Sequence, residues 1–95
     1  LSRETQNQVR KKHLEFSQEI DVRGMRGDEA LQAVSYFMDD ALMVSAGQVR
    51  ILHGTGNGIL RQLIRQYLST LPFVRNARDE HVQFGGAGIT VVEMK

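Results

Sequence analysis

Apolar residues recur along this chain at two spacings, which predict strands alternating with helices. The segment Glu19–Arg23 alternates charged and β-branched residues, the period-two pattern of a strand with one buried face. Apolar residues at helical spacing follow, and they predict a helix that Asp28 can cap and that Gly47 ends in a left-handed conformation. Gln48–Leu52 is more continuously apolar, which predicts a strand in the centre of the sheet.

The second half of the chain repeats the alternation. Apolar positions from Ile59 to Leu71 form the stripe of a second helix, which Pro72 ends. A third strand over Phe73–Arg78 and a strongly β-forming segment, Ile89–Met94, complete the order strand, helix, strand, helix, strand, strand. With right-handed crossovers, this order predicts a four-stranded mixed sheet with both helices on one face.

The start of the chain lacks this patterning. Residues 1–17 are polar, mixed in charge and poor in apolar side chains, so they cannot bury enough surface to offset the entropy of ordering. We predict a linker or frayed helix over residues 1–17 and a folded domain over residues 18–95. No apolar run approaches the roughly 20 residues of a membrane span, and the absence of cysteine excludes disulfides and cysteine nucleophiles. We therefore expect a cytoplasmic protein with no membrane partner.

The positions of the charged residues indicate more about function than the net charge does. A net charge of +1 is too small to indicate a nucleic-acid-binding protein by itself. Nine of the twelve basic residues are arginine, however, and arginine pairs bidentately with phosphate. Arg23 and Arg26 lie beside a predicted turn, while Arg61 and Arg65 are four residues apart and form one column on the second helix. That column is consistent either with a grip on a nucleic-acid backbone or with ordinary surface solubility.

The most distinctive segment is HGTGNG, His53–Gly58, between the second strand and the second helix. A glycine-rich turn from strand to helix brings backbone N–H groups and the positive end of the helix dipole to one place, which suits a phosphate. His53 adds a group that can move protons near neutral pH. The predicted phosphate-binding residues of this turn are Gly54, Thr55, Gly56, Asn57 and Gly58.

Two common nucleotide motifs do not fit this turn. A Walker loop needs lysine and then serine or threonine after its last glycine, but Ile59 and Leu60 follow here. The dinucleotide fingerprint needs a glycine where Ile59 stands, although Asp79 lies near the downstream distance of the ribose-binding acid. Nucleotide binding is therefore the weaker interpretation.

The ends of the first two strands are predicted to meet, because turns after parallel strands gather at the carboxyl edge of a sheet. His53 would then act as general acid or base, while Arg23 and Arg26 would meet the charge on the phosphate oxygens. Asp21 completes the predicted catalytic set with three open roles: orienting His53, holding a divalent cation, or bonding backbone amides of the following turn. The acidic residues form no pattern for a two-metal site, so no metal ligand is assigned, and a Mg or Mn requirement stays open.

At these residues the sequence resembles the Smr (small MutS-related) domain family over about residues 20–95. Ile20–Gly24 resembles an LDLHG-like first strand and His53–Gly56 an HGxG turn, while Gly85–Val92 resembles a late glycine-rich loop followed by a valine-rich strand. Gly85 and Gly86 of that loop join the predicted nucleic-acid-binding residues. The resemblance implies an α+β two-layer sandwich, βαβαββ, similar to the carboxyl-terminal domain of translation initiation factor three.

Arg23 stands where stand-alone members of the family usually carry histidine. Arginine there is typical of the Smr domain at the carboxyl end of a bacterial MutS-II-type paralogue. This resemblance implies an endonuclease domain that nicks DNA and can cut RNA with little sequence preference, within a larger homodimeric ATPase that acts on branched DNA or stalled ribosomes. DNA repair, recombination suppression and ribosome quality control are the implied processes, with ATP used only by the parent protein and the isolated domain a monomer. Because arginine cannot act as a base near neutral pH, proton transfer would fall to His53.

Two further function classes stay open. One is a module that binds nucleic acid or the ribosome through the same edge with little or no cleavage. The other is a structural tail used for assembly, for which we expect no salt-dependent binding of nucleic acid.

Overall fold

A computed structural model describes residues 16–95 of the chain. Two βαβ-type crossovers determine the arrangement of its elements. The predicted linker lies almost wholly outside the described residues. The elements are β1 (Glu19–Asp21), α1 (Gly27–Met43), β2 (Gln48–Leu52), α2 (Ile59–Leu68), β3 (Val74–Asp79) and β4 (Ile89–Met94). Two short 3-10 turns, Val82–Phe84 and Gly86–Gly88, lie between β3 and β4.

The four strands form one mixed sheet in the order β1-β2-β4-β3. β1 and β2 are parallel and end together, with Asp21 opposite Leu52. β4 runs antiparallel to both of its neighbours, so that Thr90 lies between Ile51 of β2 and Asp79 of β3. This arrangement confirms the predicted four-stranded mixed sheet and places the turns after β1 and β2 at one edge.

Both helices cover the same face of the sheet, because each presents one apolar stripe to it. Along α1, the buried residues Ala30, Val34, Met38 and Ala41 follow helical spacing. α2 contributes the buried Ile64 and Leu68. The sheet side of the core consists of buried residues from or next to β1, β2 and β4: Val22, Val49, Ile51, Val92 and Met94.

The two helices approach each other closely at their amino-terminal halves. A Cβ atom added at Gly27, the first residue of α1, would lie 2.8 Å from Cδ1 of Leu63 in α2. A side chain at position 27 would therefore require the end of the Leu63 side chain to shift or the two helices to move apart. This glycine allows the amino terminus of α1 to lie beside α2, close to where the glycine-rich turn enters that helix.

Four predicted boundaries differ from the observed ones, and one of them is the end of α2, which lies at Leu68 with Ser69 as its C-cap rather than at the predicted stop before Pro72. β1 ends at Asp21 rather than Arg23, because the Asp21 carboxylate accepts the N–H of Arg23 at 3.0 Å and starts a turn. α1 begins at Gly27 with Arg26 as its N-cap, so Asp28 lies in the first turn and does not cap the helix. β3 is shifted by one residue and includes Asp79.

The predicted end of α1 was also wrong in its detail. The residue with left-handed φ is Ser45, at 56°, and Gly47 is not among the residues of positive φ. The N–H of Ser45 donates to the carbonyl of Leu42, and that of Ala46 donates to the carbonyl of Ala41. The helix ends at Met43, four residues before the glycine, which instead leads into β2.

Candidate phosphate-binding cleft at the carboxyl edge of the sheet

A cleft of about 360 Å³ opens where β1 and β2 end. Its walls are Gly24, Met25 and Gly27 after β1 and residues 53–60 after β2. The first residues of both helices, Gly27 and Ile59, line the same space. Because each helix amino terminus carries partial positive charge and unpaired N–H groups, the cleft favours an anion.

Part of the HGTGNG turn uses its amides to fix its own shape. The N–H groups of His53 and Gly54 both donate to the carbonyl of Gly88, at 3.1 and 2.9 Å. The N–H of Gly58 donates to the carbonyl of Thr55 at 3.0 Å. These three amides are occupied, so the predicted role of Gly54 and Gly58 as phosphate donors does not extend to their N–H groups in this conformation.

The middle of the turn is different. The N–H groups of Thr55, Gly56 and Asn57 have no acceptor among residues 16–95. Gly58, with φ of 80°, reverses the chain into α2, and the Asn57 side chain accepts the N–H of Ile59 at 3.1 Å. A left-handed residue at this position favours glycine strongly. Three consecutive amides at the cleft therefore remain available to an anionic ligand.

His53 lies at the base of the turn and is only 5% exposed. Its Nδ1 is 2.9 Å from the carbonyl oxygen of Gly54, and its Nε2 is 2.7 Å from Oγ1 of Thr90. A carbonyl oxygen can only accept, so the proton is assigned to Nδ1, and Nε2 of the neutral ring accepts the Thr90 hydroxyl. Arg65 Nε donates to the same hydroxyl oxygen at 2.9 Å.

The surroundings keep this imidazole neutral. Burial lowers the pKa of His53 below its usual value, and the charges of Arg65 and Arg61 lower it further, while the hydrogen bond that Nδ1 donates to the Gly54 carbonyl opposes this shift. Both ring nitrogens are engaged, so His53 joins the turn to β4. Proton transfer to or from a substrate would require Nε2 to exchange the Thr90 hydroxyl for the reacting group.

Asp21 and Arg23 form a bidentate ion pair beside the cleft. Nε and Nη2 of Arg23 donate to the two carboxylate oxygens of Asp21 at 2.9 and 2.7 Å. Of the three roles considered for Asp21, the structure shows the bond to a backbone amide, that of Arg23, in addition to the ion pair. Hydrogen bonds from Arg23 lower the pKa of Asp21 to about 2, so the carboxylate is charged at neutral pH.

The predicted meeting of the two strand ends is also present in the structure. A Cβ atom on Gly54 would lie 3.6 Å from Cγ of Arg23, so the aliphatic part of the Arg23 side chain lies against the HGTGNG turn. Arg26 is the most accessible cation of the region, 79% exposed, and its carboxylate neighbours Asp28 and Glu29 are 3.7 and 3.9 Å away. Arg23 thus lies against the turn that lines the cleft, and Arg26 directly precedes the lining residue Gly27, but neither arginine itself lines the cleft.

Arg61 and Arg65 are not brought there. Both donate to Oδ1 of Asp79, at 2.8 and 2.6 Å, and neither lines the cleft. Their column faces the end of β3 and is partly neutralised by this shared carboxylate. Hydrogen bonding from Arg61 is the main reason that the pKa of Asp79 is lowered.

Gly85 and Gly86 do not line the cleft either. The residue of their loop that contacts the HGTGNG turn is Gly88, whose carbonyl accepts the N–H groups of His53 and Gly54 and whose added Cβ would lie in ordinary contact, 3.6 Å, with the Gly54 carbonyl carbon. Sequence reasoning missed both Gly88 and Thr90. A single hydroxyl side chain in a valine-rich strand was the available indication for Thr90, which is fully buried.

Metal and membrane features were searched in the same part of the chain. Among residues 16–95, no three histidine, aspartate or glutamate side chains come together as a metal site would need. None of the helices described combines the length and apolar character required to cross a bilayer.

These features define a small α+β domain with a cleft, lined by the amino termini of both helices, at the carboxyl edge of its parallel strands. The chain belongs to the Smr domain family, whose model matches residues 20–95. It is similar to Endonuclease MutS2 of Caldicellulosiruptor bescii, with 42% identity over 87 residues that cover 92% of this chain and 11% of the relative. It is 43% identical over 77 residues to Endonuclease MutS2 of Shouchella clausii, covering 81% of this chain and 10% of that protein. The chain thus spans about a tenth of the length of these curated relatives.

Solved structures agree with this assignment. The Smr domain of Thermus thermophilus MutS2 matches with a TM-score of 0.79 and 38% identity, covering 81% of this chain and 96% of that one. YdaL, a stand-alone small MutS-related protein from Escherichia coli, matches in fold with a TM-score of 0.77 at 22% identity, over 81% of this chain and 63% of that one. The family and the fold class predicted from the sequence are therefore confirmed.

Proposed function

We propose that this domain holds the sugar–phosphate backbone of nucleic acid in the cleft and acts as an endonuclease domain that nicks DNA, with RNA as a second substrate. The observation that carries the proposal is that two helix amino termini and three available amides, Thr55–Asn57, open into one space. A phosphodiester fits that combination, since it presents one negative charge and two acceptor oxygens. The name of the curated relatives, Endonuclease MutS2, supports the reaction class.

Each neighbouring side chain has a proposed role. Arg23 and Arg26 neutralise the charge that develops on the phosphate oxygens, and the Asp21 carboxylate holds the Arg23 guanidinium in place. His53 moves the proton after Nε2 leaves Thr90. Backbone contacts carry no base information, so little sequence preference is expected.

A plasmid assay tests this proposal. Purified chain is incubated with supercoiled plasmid, with and without a chelator and with added Mg or Mn, and nicked circles are counted for wild type, Arg23→Ala, Asp21→Ala and His53→Ala. We expect nicking by the wild type and a loss in Arg23→Ala and His53→Ala, with circular dichroism confirming that each variant is folded. Wild-type nicking that persists unchanged in all three variants would exclude this site, and the chelator arm decides the metal requirement.

One observation favours a second candidate, a binding module with little or no cleavage. His53 is buried and both of its ring nitrogens have partners, so the cleft lacks a preformed proton acceptor. This candidate predicts binding that weakens steeply with salt while plasmid stays intact with either metal. A structural tail would show no such binding.

The wider context is part of the same proposal. The curated relatives are about ten times longer than the matched segment. We propose that in such a parent protein the domain works at the carboxyl end of a homodimeric ATPase on branched DNA or stalled ribosomes in the cytoplasm, while the isolated domain is a monomer.

A further inference from the structure

The loop between β3 and β4 exposes apolar side chains, and its last residue, Gly88, contacts the turn that lines the cleft. Val82 is 86% exposed and Phe84 is 65% exposed, the highest values among the large hydrophobic residues described. The ring of His81 lies 5.8 Å from that of Phe84, at 52°. Two rings and one aliphatic side chain therefore form an outward surface, which we name the 81–84 tip.

The backbone of this tip is held in place. The N–H of Phe84 donates to the carbonyl of His81 at 2.8 Å, and the N–H of Gln83 donates to Nδ1 of His81 at 3.2 Å. From the sheet, Nη2 of Arg50 donates to the carbonyl of Phe84 at 3.2 Å. A ring presented from a fixed backbone loses little freedom when a ligand binds it.

The loop that carries the tip is also hydrogen-bonded to the HGTGNG turn, which lines the cleft. Gly88, four residues after Phe84, accepts the amides of His53 and Gly54. Four residues span at most about 14 Å, so Phe84 lies within that distance of the glycine that touches the HGTG turn. Successive phosphates of a strand are roughly 3.4 Å apart along a duplex axis. A strand that leaves the cleft over this loop would therefore reach the tip within a few nucleotides.

We propose that Phe84, supported by His81, is a stacking surface for an unpaired nucleobase of the strand whose phosphate is held in the cleft. An exposed aromatic face beside a backbone-binding site is the arrangement that single strands use, because every base offers a π-face. Bases within a duplex are covered by their neighbours and offer only their edges. The preferred ligand is therefore a strand with unpaired bases, such as a single strand, a gap or a branch point. This proposal rests on the proposed backbone site and adds the base that lies next to it.

The chain provides matched controls for a binding experiment. Val82 is on the same loop and even more exposed but has no ring, and Tyr36 is an aromatic residue of similar exposure, 62%, on α1. Fluorescence anisotropy is measured with a labelled single-stranded oligonucleotide and with the blunt duplex of the same sequence. The proteins are wild type, Phe84→Ala, Phe84→Tyr, Val82→Ala, Tyr36→Ala and Arg26→Ala.

We expect Phe84→Ala to bind the single strand about tenfold more weakly and the duplex within about twofold of wild type. Phe84→Tyr keeps the ring and should keep the affinity, while Val82→Ala and Tyr36→Ala should match wild type. A 2-aminopurine base in the single strand should lose fluorescence on binding to wild type and keep it with Phe84→Ala.

Other outcomes separate this inference from the proposed function. Unchanged single-strand binding by Phe84→Ala, or equal losses for single strand and duplex, would overturn the stacking role. If Arg26→Ala then still weakens binding to both ligands, the backbone site stands without it. Absence of binding of either ligand by the wild type would overturn both.

Discussion

The two glycine-rich segments at the carboxyl edge of the sheet touch each other yet expose opposite parts of the chain. The HGTGNG turn buries its one large side chain, His53, and leaves the amides of Thr55–Asn57 without partners among residues 16–95. The loop after β3 uses its backbone groups internally and exposes Val82 and Phe84. Glycine permits both, since it allows the tight reversals that each segment needs. The difference indicates a division of roles, in which one segment offers backbone donors to phosphate and the other offers side-chain surface.

The largest expected effect on stability comes from removing the His53 imidazole, which joins the HGTGNG turn to β4. His53→Ala removes hydrogen bonds to Gly54 and Thr90 and leaves a small cavity, so we expect a loss of about 2–4 kcal/mol in the free energy of unfolding. Urea denaturation measures it. The exposed His81→Ala is the control from the other segment and should cost less than about 1 kcal/mol. Equal losses in both variants would remove the distinction between a buried and a surface histidine.

A glycine at the other segment comes next. Gly85 has φ of 128°, and a Cβ there would lie 2.3 Å from Cδ1 of Ile89. We expect Gly85→Ala to cost about 2 kcal/mol in unfolding free energy and to weaken single-strand binding through a displaced tip. Gly86→Ala, with φ of 54° and open space around its Cβ position, should cost about 1 kcal/mol. A Gly85→Ala variant as stable as wild type would show that Ile89 yields and that the tip is not held by this contact.

A smaller effect concerns pH. Since the pKa of His53 is lowered in the folded protein, mainly by burial, the unfolded chain takes up a proton first as the pH falls through the unperturbed value near 6.5. The stabilising contribution of the neutral ring is thus present above that value and is lost as the pH falls toward the folded pKa. Urea midpoints measured from pH 8 to pH 5 should fall more steeply for wild type than for His53→Gln. Parallel curves would contradict the assigned neutral state.

Strand and fold prediction succeeded where local pattern decided the outcome. Gln48–Leu52 and Ile89–Met94 match the predicted strands residue by residue, because runs of apolar and β-branched residues are bounded there by glycine. β1 was predicted too long because alternation continues to Arg23, while the Asp21 side chain captures the following amide and ends the strand. The pattern of apolar and polar residues does not show that a side chain will bond this backbone N–H and end the strand.

The candidate site was predicted only in part, because its remaining contacts depend on strand register. The meeting of Arg23 with the HGTG turn follows from two parallel strands and needs no side-chain detail. Thr90 reaches His53 across 37 residues of sequence, and only the antiparallel pairing of β4 with β2 selects which side chain faces the ring. The sequence indicated that Arg61 and Arg65 were available to bind phosphate. In the structure, both donate hydrogen bonds to the carboxylate of Asp79 at the end of β3.

The smallest expected effect addresses the phosphate side of the comparison directly. The Arg26 guanidinium is exposed and has no hydrogen-bonded partner among residues 16–95, and Arg26 is the N-cap of α1, whose first residue lines the cleft. We expect Arg26→Ala to weaken single-strand and duplex binding alike, by about two- to fivefold at low salt, and to reduce the slope of log affinity against log salt by about one. Arg61→Ala is the matched control, because the Arg61 guanidinium is hydrogen-bonded to Asp79 at 2.8 Å, whereas that of Arg26 lies 3.7 and 3.9 Å from its carboxylate neighbours. A loss confined to single strands would show that Arg26 acts together with the 81–84 tip rather than at the backbone site. A larger loss for Arg61→Ala would show that the nucleic-acid backbone binds along Arg61 and Arg65 of α2 rather than in the cleft.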